Sequence, residues 1–385
     1  MEASTSSFSL ASSALMTLTG ARVPLAIGTL QWGTTWFDDN VMNRPRGCLT
    51  DSVCRGICEE LTRGGVTIMD TAEGYGGGTS EKRLGRLLHR QEKQPQQPQP
   101  QTKLSNMMVM TKFLPVPWRA THASFERAVR QSCQRLQVDC IEVYLLHSPV
   151  HWRPVEFWVE AAAMCKRKGL LQSLGLSNAN ADQVRRAVHA GKKFGVDVVC
   201  NQVHYSLLDY KSEALQEMEQ TCRELNVTIV AFTPIGQGLL TDGLTEEKYS
   251  TNKAAKMLRL SRDELDPLRN VITELAKTYQ KTMAQVALNW CIQHQVVPLV
   301  GCRSTQQAKD SLGCLGWKLS SDDVERLDAV ALDRSTLQSP PWRRAIFVTL
   351  FGIVNLICKT MDYWGCGSVG VEREEVYDSG KAKQV

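Results

Sequence analysis

The feature that most constrains this chain is its rhythm. Short apolar runs alternate with stretches of helical spacing, and the pair recurs eight times between Val23 and Leu312. The strand expectations are Val23 to Leu30, Val66 to Met69, Met107 to Phe113 and Ile141 to His147, followed by Leu171 to Leu176, Val196 to Val203, Val227 to Phe232 and Val296 to Gly301. The helical patterns between them include Ser52 to Arg63, where Val53, Ile57 and Leu61 recur every fourth residue. Ser80 to Leu88 follows, with Ser80 placed as its cap, and Leu268 to Tyr279 reads as a helix after the seventh strand. Strands alternating with helices call for a parallel sheet, and eight such units fit a closed (β/α)₈ barrel. An open doubly wound sheet would carry a G-x-G-x-x-G turn after its first strand, and none is present. The expected organisation is a tail over 1–20, a barrel over 21–335 and an extension over 336–385. A Gln/Pro-rich loop at 91–103 is too polar to build a core.

In such a barrel the C-terminal strand ends meet at one mouth, so the polar residues found there form one candidate site. The sequence places Asp70 and Tyr75, Lys112, His147, Ser177 with Asn178, and Gln202 with Tyr205 at those positions. The loop Thr233 to Leu240 and the turn Gly301 to Ser304 complete the ring. Four of these residues have complementary proton chemistry. A tyrosine near its reference pKa of about 10 is a poor acid at neutral pH. A neighbouring ammonium such as Lys112 favours the phenolate, Asp70 could hold that lysine, and His147 could orient a carbonyl oxygen. The plainer alternatives are a structural Lys–Asp pair at a strand end and a histidine satisfied in the core.

Composition narrows the class further. A net charge of +5 is spread without a long basic run, and there is neither zinc-finger spacing nor a basic stripe with interleaved aromatics, so nucleic acid is not an expected partner. Thirteen cysteines are scattered with no C-x-x-C pair, which argues for free thiols in a reducing compartment. His147 and His151 straddle Pro149, there is no H-E-x-x-H, and no metal is expected.

The strand-end strings also resemble a known family. Asp70 to Gly76 (DTAEGYG), Thr111-Lys112-Phe113, Leu145 to Pro149 (LLHSP), Gly175 to Asn178 (GLSN), Asn201 to Tyr205 (NQVHY) and Phe232 to Leu239 (FTPIGQGL) are similar, in order, to signatures of the aldo-keto reductase superfamily. The resemblance covers roughly residues 24 to 332, and Thr111 to Arg119 resembles the plant chloroplast branch. It implies NADP(H)-linked reduction of an aldehyde or ketone, with Tyr75 as general acid, Lys112 as its partner, Asp70 as the lysine's anchor and His147 orienting the carbonyl. It further implies that Ser177, Asn178 and Gln202 hold the nicotinamide amide and that Tyr205 stacks on its ring. Thr233, Pro234, Ile235, Gly236, Gln237, Gly238 and Leu239 would wrap the pyrophosphate. Arg303 and Ser304 would meet the 2′-phosphate, with Gln307 and Ser311 near the adenine, and Gly301 would belong to the same cofactor site. Ser311 stands where many relatives carry a second amide. Arg303 has an argument of its own, because a guanidinium matches a phosphate dianion; this favours NADP over NAD.

Substrate walls in this architecture come from mouth loops, here with Trp32, Trp118 and Trp152, whose aromatics suit an apolar or planar carbonyl compound such as a pyridoxal-like or reactive short-chain aldehyde. A second reading is a nucleotide-sensing subunit of the same fold acting through a partner, as channel-associated β subunits do. The apolar run 345–358 is too short for a membrane span of about 20 residues. It reads as a helix packed on the barrel, an interfacial helix or a lid over the mouth. The Ser/Ala-rich start partly fits a transit segment, so the expected location is cytoplasm or plastid rather than a secretory route. Oligomeric state is not legible from the sequence.

Overall fold

The computed structural model describes residues 13–21, 23–33, 49–89, 104 and 107–334, with positions 349 and 353. Eight strands form the expected closed parallel barrel: β1 (Ala26–Gly28), β2 (Ile68–Asp70), β3 (Met108–Phe113), β4 (Ile141–Leu146), β5 (Leu171–Ser177), β6 (Val198–His204), β7 (Thr228–Phe232) and β8 (Val297–Gly301). Each pairs with the next, and β8 closes on β1 with Ala26 opposite Leu299.

Strand periodicity of two sorts the side chains between two cores. Ala26, Ile68, Met108, Met110, Val143, Leu145, Val230, Val297 and Leu299 fill the barrel interior. Their sequence neighbours Ile27, Met69, Val109, Tyr144, Leu146, Ile229 and Val300 face outward and pack against the helices. Continuing the inward parity to the strand ends brings Asp70, Lys112, His147, Ser177, Gln202 and Phe232 towards one mouth. The helices start where the sequence supplies caps: Thr50, Thr121, Asn180, Ser261, Thr282 and Ser304 each accept a backbone N–H of the first turn.

Three stretches differ from expectation. Residues expected in the polar tail, Ala14–Thr19, form a short helix whose Leu15 and Met16 join the barrel-interior core. The Leu15 amide donates to Thr228 Oγ1 at 3.1 Å, at the start of β7, so this helix closes the base of the barrel opposite the mouth. Six residues are too few for a helical period to show, and packing rather than propensity sustains so short a helix. The loop after β7 holds two further helices, Glu246–Thr251 and Lys253–Leu258. The next helix begins at Arg262 rather than at Leu268, running through Pro267 because Ser261 and Glu264 form a capping box ahead of it. A last helix, Ser321–Val330, packs beside Arg262–Tyr279.

The Gln/Pro-rich 91–103 and the apolar 345–358, apart from positions 349 and 353, lie outside the described residues. Among the described residues no helix is long and apolar enough to cross a membrane.

Candidate active site

The mouth is organised around Lys112, the penultimate residue of β3, whose side chain is wholly buried. An ammonium has three protons to give, and three acceptors surround this one. Lys112 Nζ donates to Asp70 Oδ2 at 2.6 Å, to the Thr71 carbonyl at 2.8 Å and to the Tyr75 hydroxyl at 3.1 Å. Since Lys112 supplies the proton of the last bond, the phenol oxygen is its acceptor, and the phenol's own proton points elsewhere. Asp70 is fixed from its other side by Gln202, whose Nε2 donates to Asp70 Oδ1 at 2.7 Å.

Electrostatics follow from burial and pairing. Burial alone would pull Lys112 down, but Asp70, and after it Tyr75, outweigh that penalty and its pKa is raised. It therefore keeps its proton. Burial pushes the Asp70 carboxyl up, opposed by Lys112 and Gln202. His147, just past the end of β4, has its pKa lowered to about 3 by burial and then by the Lys112 charge. It is thus a neutral imidazole across the physiological range. Its ring stands edge-on to Tyr75, with centroids 5.9 Å apart.

Tyr75 is carried by a tight turn, Tyr75–Gly78, that leaves β2. Gly76 makes the turn feasible: its φ is 58°, and a Cβ there would fall 1.7 Å from the Gly33 carbonyl oxygen. The loop's Glu73 is also buried, with Arg119 Nη1 donating to its Oε1 at 2.5 Å.

With this geometry, the aldo/keto reductase family model matches residues 24–332. The chain belongs to the aldo/keto reductase family. Chloroplastic pyridoxal reductase of Arabidopsis thaliana is 32% identical over 315 residues, covering 80% of this chain and 84% of that protein. The NADH-specific methylglyoxal reductase of Escherichia coli is 25% identical over 344 residues, covering 82% and 97%. Among solved structures, the glycerol dehydrogenase of Gluconobacter oxydans aligns with a TM-score of 0.65 at 19% identity, over 82% of this chain and 93% of that one. A Bombyx mori aldo-keto reductase in complex with NADP aligns at 0.57 with 19% identity, over 81% and 90%. At those identities the two structures speak for the barrel alone. The family and its reductase relatives make this chain an oxidoreductase acting on small carbonyl compounds.

The other mouth residues of this aldo-keto reductase fall into two groups. Ser177 and Asn178 stand together at the end of β5, with Asn178 Nδ2 donating to Ser177 Oγ at 3.1 Å. Gln202 is beside them; one of its two amide protons goes to Asp70, which leaves its carbonyl oxygen and its second N–H to offer a cofactor amide. In the loop after β7, Thr233 and Gln237 adopt left-handed φ of 59° and 52°. Gln237 is exposed and a Cβ on Gly238 would meet nothing within 4 Å. Gly301 is likewise open, ahead of the half-exposed Arg303. Ser304 caps the helix Thr305–Leu312, and Gln307 accepts the Arg303 amide proton at 2.8 Å. Ser311 donates its hydroxyl to the Gln307 carbonyl at 2.8 Å, inside its own helix.

Several expectations need correction. Tyr205 does not face the mouth. It follows Gln202 by three residues, so strand alternation turns it to the opposite side of the barrel wall. There it is fully buried, donating its hydroxyl to Glu219 Oε2 at 3.0 Å and stacking on Trp290. The aromatic that does reach the mouth is Phe232, the half-buried end of β7, which packs on the interior core and edge-on to His204. Two-residue spacing from Val230 was the signal that could have found it. Pro234 and Leu239 are buried and anchor their loop, while Ile235 packs partly against the core. Gly236 sits so close to Leu208 that a Cβ would meet its Cδ1 at 2.6 Å. Trp32 is no substrate wall: it is 1% exposed in the outer core, with its indole N–H directed at the Cys302 carbonyl 3.4 Å away. Trp118 and Trp152 do line the surface, at 53% and 63% exposure.

Proposed function

We propose that this chain reduces an aldehyde or ketone to an alcohol with NADPH, Tyr75 protonating the carbonyl oxygen. The observation that carries the reading is the complete commitment of the Lys112 ammonium to Asp70, Thr71 and Tyr75. The buried cation steadies the negative charge that grows on the Tyr75 oxygen as its proton leaves. Asp70 and Gln202 keep that cation in place, and neutral His147 is suited to hold the substrate oxygen by a hydrogen bond without competing for the proton. Bound nicotinamide would supply hydride to the carbonyl carbon.

The residues present fit such a cofactor. Open space lies over Gly238 and Gly301, and the capped helix Thr305–Leu312 turns its N-terminus towards the same rim. Ser177, Asn178 and the Gln202 carbonyl would hold the amide end, the exposed part of the Thr233 loop the pyrophosphate, and Arg303 with Ser304 the 2′-phosphate. The assembled proton relay favours catalysis over the nucleotide-sensing alternative. The chloroplastic relative supports a plastid location and a pyridoxal-like substrate for this chain.

The test is a cofactor-oxidation screen over aldehydes and ketones, with NADPH and NADH side by side, on the parent and on Arg303→Ala. The parent should oxidise NADPH with at least one aldehyde, and the substitution should raise the KM for NADPH about ten-fold while sparing NADH. A parent inert with both cofactors would reject the reading. Equal losses with both would remove Arg303 from the phosphate site.

A further inference from the structure

Two ion pairs cross the seam between β2 and β3, one wholly buried and one half-buried, and the proposed chemistry uses only the first. Asp70–Lys112 lies at the strand ends. Further out, Glu73 meets Arg119 through a bidentate contact, Nη1 to Oε1 at 2.5 Å and Nη2 to Oε2 at 3.2 Å. The Glu73 side chain is 4% exposed, and its Oε1 also accepts the Leu114 amide at 2.7 Å. Arg119 returns a bond to the Leu114 carbonyl at 3.1 Å, and its guanidinium lies 4.3 Å over the Phe113 ring. Tyr75 is two residues from Glu73, so its loop is tied to the segment after β3.

That segment carries Trp118, and the next mouth loop is fastened to it in turn. Trp152 Nε1 donates to the Pro117 carbonyl at 3.3 Å, and Arg153 Nε to the Ala120 carbonyl at 3.2 Å. Arg153 also stacks 4.3 Å over the Trp152 ring. The contacts thus run without a gap from the Tyr75 loop through Glu73 and Arg119 to the exposed indoles. A bidentate carboxylate–guanidinium pair adds little net stability when half-buried, yet its two parallel bonds fix the relative placement of the segments it joins.

We propose that Glu73 and Arg119 are positioning residues: their ion pair holds the Trp118–Trp152 rim in register with Tyr75 and thereby selects flat, aromatic aldehydes over small aliphatic ones. The selection half of this rests on Tyr75 being the acid; the mechanical half does not. Breaking the pair frees the rim while leaving Asp70, Lys112 and His147 in place. A flat substrate that leans on the indoles then loses its alignment, whereas a short aldehyde held only by the proton relay does not.

The test uses the full-length protein with Glu73→Gln, Arg119→Met, the double variant and Arg119→Lys, with nitrobenzaldehyde and propanal as probes. Each single variant should raise the KM for nitrobenzaldehyde about ten-fold and move propanal by less than about two-fold. The double should be no worse than the worse single, and Arg119→Lys should recover part of the loss. Equal losses on both aldehydes, or a lowered melting temperature with unchanged kinetics, would overturn the proposal. Amide hydrogen exchange of the unliganded protein supplies the readout independent of turnover. Protection should fall together at 71–75 and 114–121 in both single variants, and unchanged protection there would sink the latch. A parent enzyme inert to both aldehydes would instead count against the reductase reading and the selection half, with exchange still deciding the latch.

Discussion

Asp70→Asn isolates the electrostatic logic of the site, because it removes one charge and almost no volume. In the parent, Asp70 Oδ2 lies 2.6 Å from a fully buried Lys112 ammonium, and Oδ1 accepts from Gln202 at 2.7 Å. An asparagine can still accept from Gln202, but its amide N–H₂ then faces the ammonium, donor against donor. Leaving a buried charge without its partner costs about 3–5 kcal/mol, which lowers the melting temperature of a domain of this size by about 5–8 °C. Lys112 escapes part of that penalty by losing its proton, and Tyr75 then loses the cation beside it. Turnover should therefore fall by at least about 10²-fold, the usual contribution of positioned acid catalysis. Urea unfolding at neutral pH and NADPH oxidation with a good aldehyde measure the two effects. The double variant Asp70→Asn/Lys112→Met is the diagnostic. With no buried charge left it should be more stable than Asp70→Asn alone, although just as inactive. Additive destabilisation, or an Asp70→Asn protein with parental stability and rate, would refute the pairing argument.

Two histidines give stability opposite pH dependences. For His147, whose folded pKa is about 3, the unfolded chain binds a proton below about 6.5 that the folded chain refuses. Stability should fall as pH drops from about 6.5 towards 3, by up to roughly 4–5 kcal/mol from this group. His147→Gln should flatten that slope in urea titrations. For His294, burial opposes protonation, but Asp328 at 3.1 Å and Glu219 outweigh it and raise the pKa to about 9. Its contribution, on the order of 3 kcal/mol, is complete below about pH 6.5 and should fade as pH rises through 9; a His294→Gln protein that kept the alkaline slope would contradict this. Behind the barrel wall, Tyr205→Phe should leave Glu219 short of a partner at a cost of about 1–3 kcal/mol, with NADPH affinity unchanged. Phe232→Ala should weaken NADPH about ten-fold through lost ring contact, as read by cofactor fluorescence, and the reverse pattern would restore Tyr205 to the stacking role.

Much of this arrangement was legible because barrels convert strand order into spatial order. Asp70, Lys112 and His147 lie at or next to the ends of three successive strands, and alternation alone turns them inward beside the interior residues Ile68, Met110 and Leu145. The same rule, applied one step further, separates Gln202 from Tyr205 and brings in Phe232; motif matching without parity missed it. Trp32 was misread for a different reason. Nothing local tells whether an indole after a short strand reaches for substrate or folds back onto Cys302. The base-closing helix Ala14–Thr19 was hidden because its order comes from contacts with β6 and β7, far along the chain. Pro267 masked the start of its helix, where a capping box outweighs one missing ladder bond. The Glu73–Arg119 pair lay within the quoted motifs, yet its partnership is a fact of packing rather than of spacing.

In the reaction proposed for this chain, the proton given to the carbonyl oxygen comes from Tyr75. The direct measurement is single-turnover NADPH oxidation by Tyr75→Phe, paired with a binding titration of the same protein. Removing only the hydroxyl leaves Lys112 with Asp70 and the Thr71 carbonyl, so the fold and the cofactor site should persist. The NADPH dissociation constant should stay within about two-fold of the parent while the hydride-transfer rate falls by about 10²–10⁴-fold. Hydride transfer at the parental rate would show that the proton comes from elsewhere.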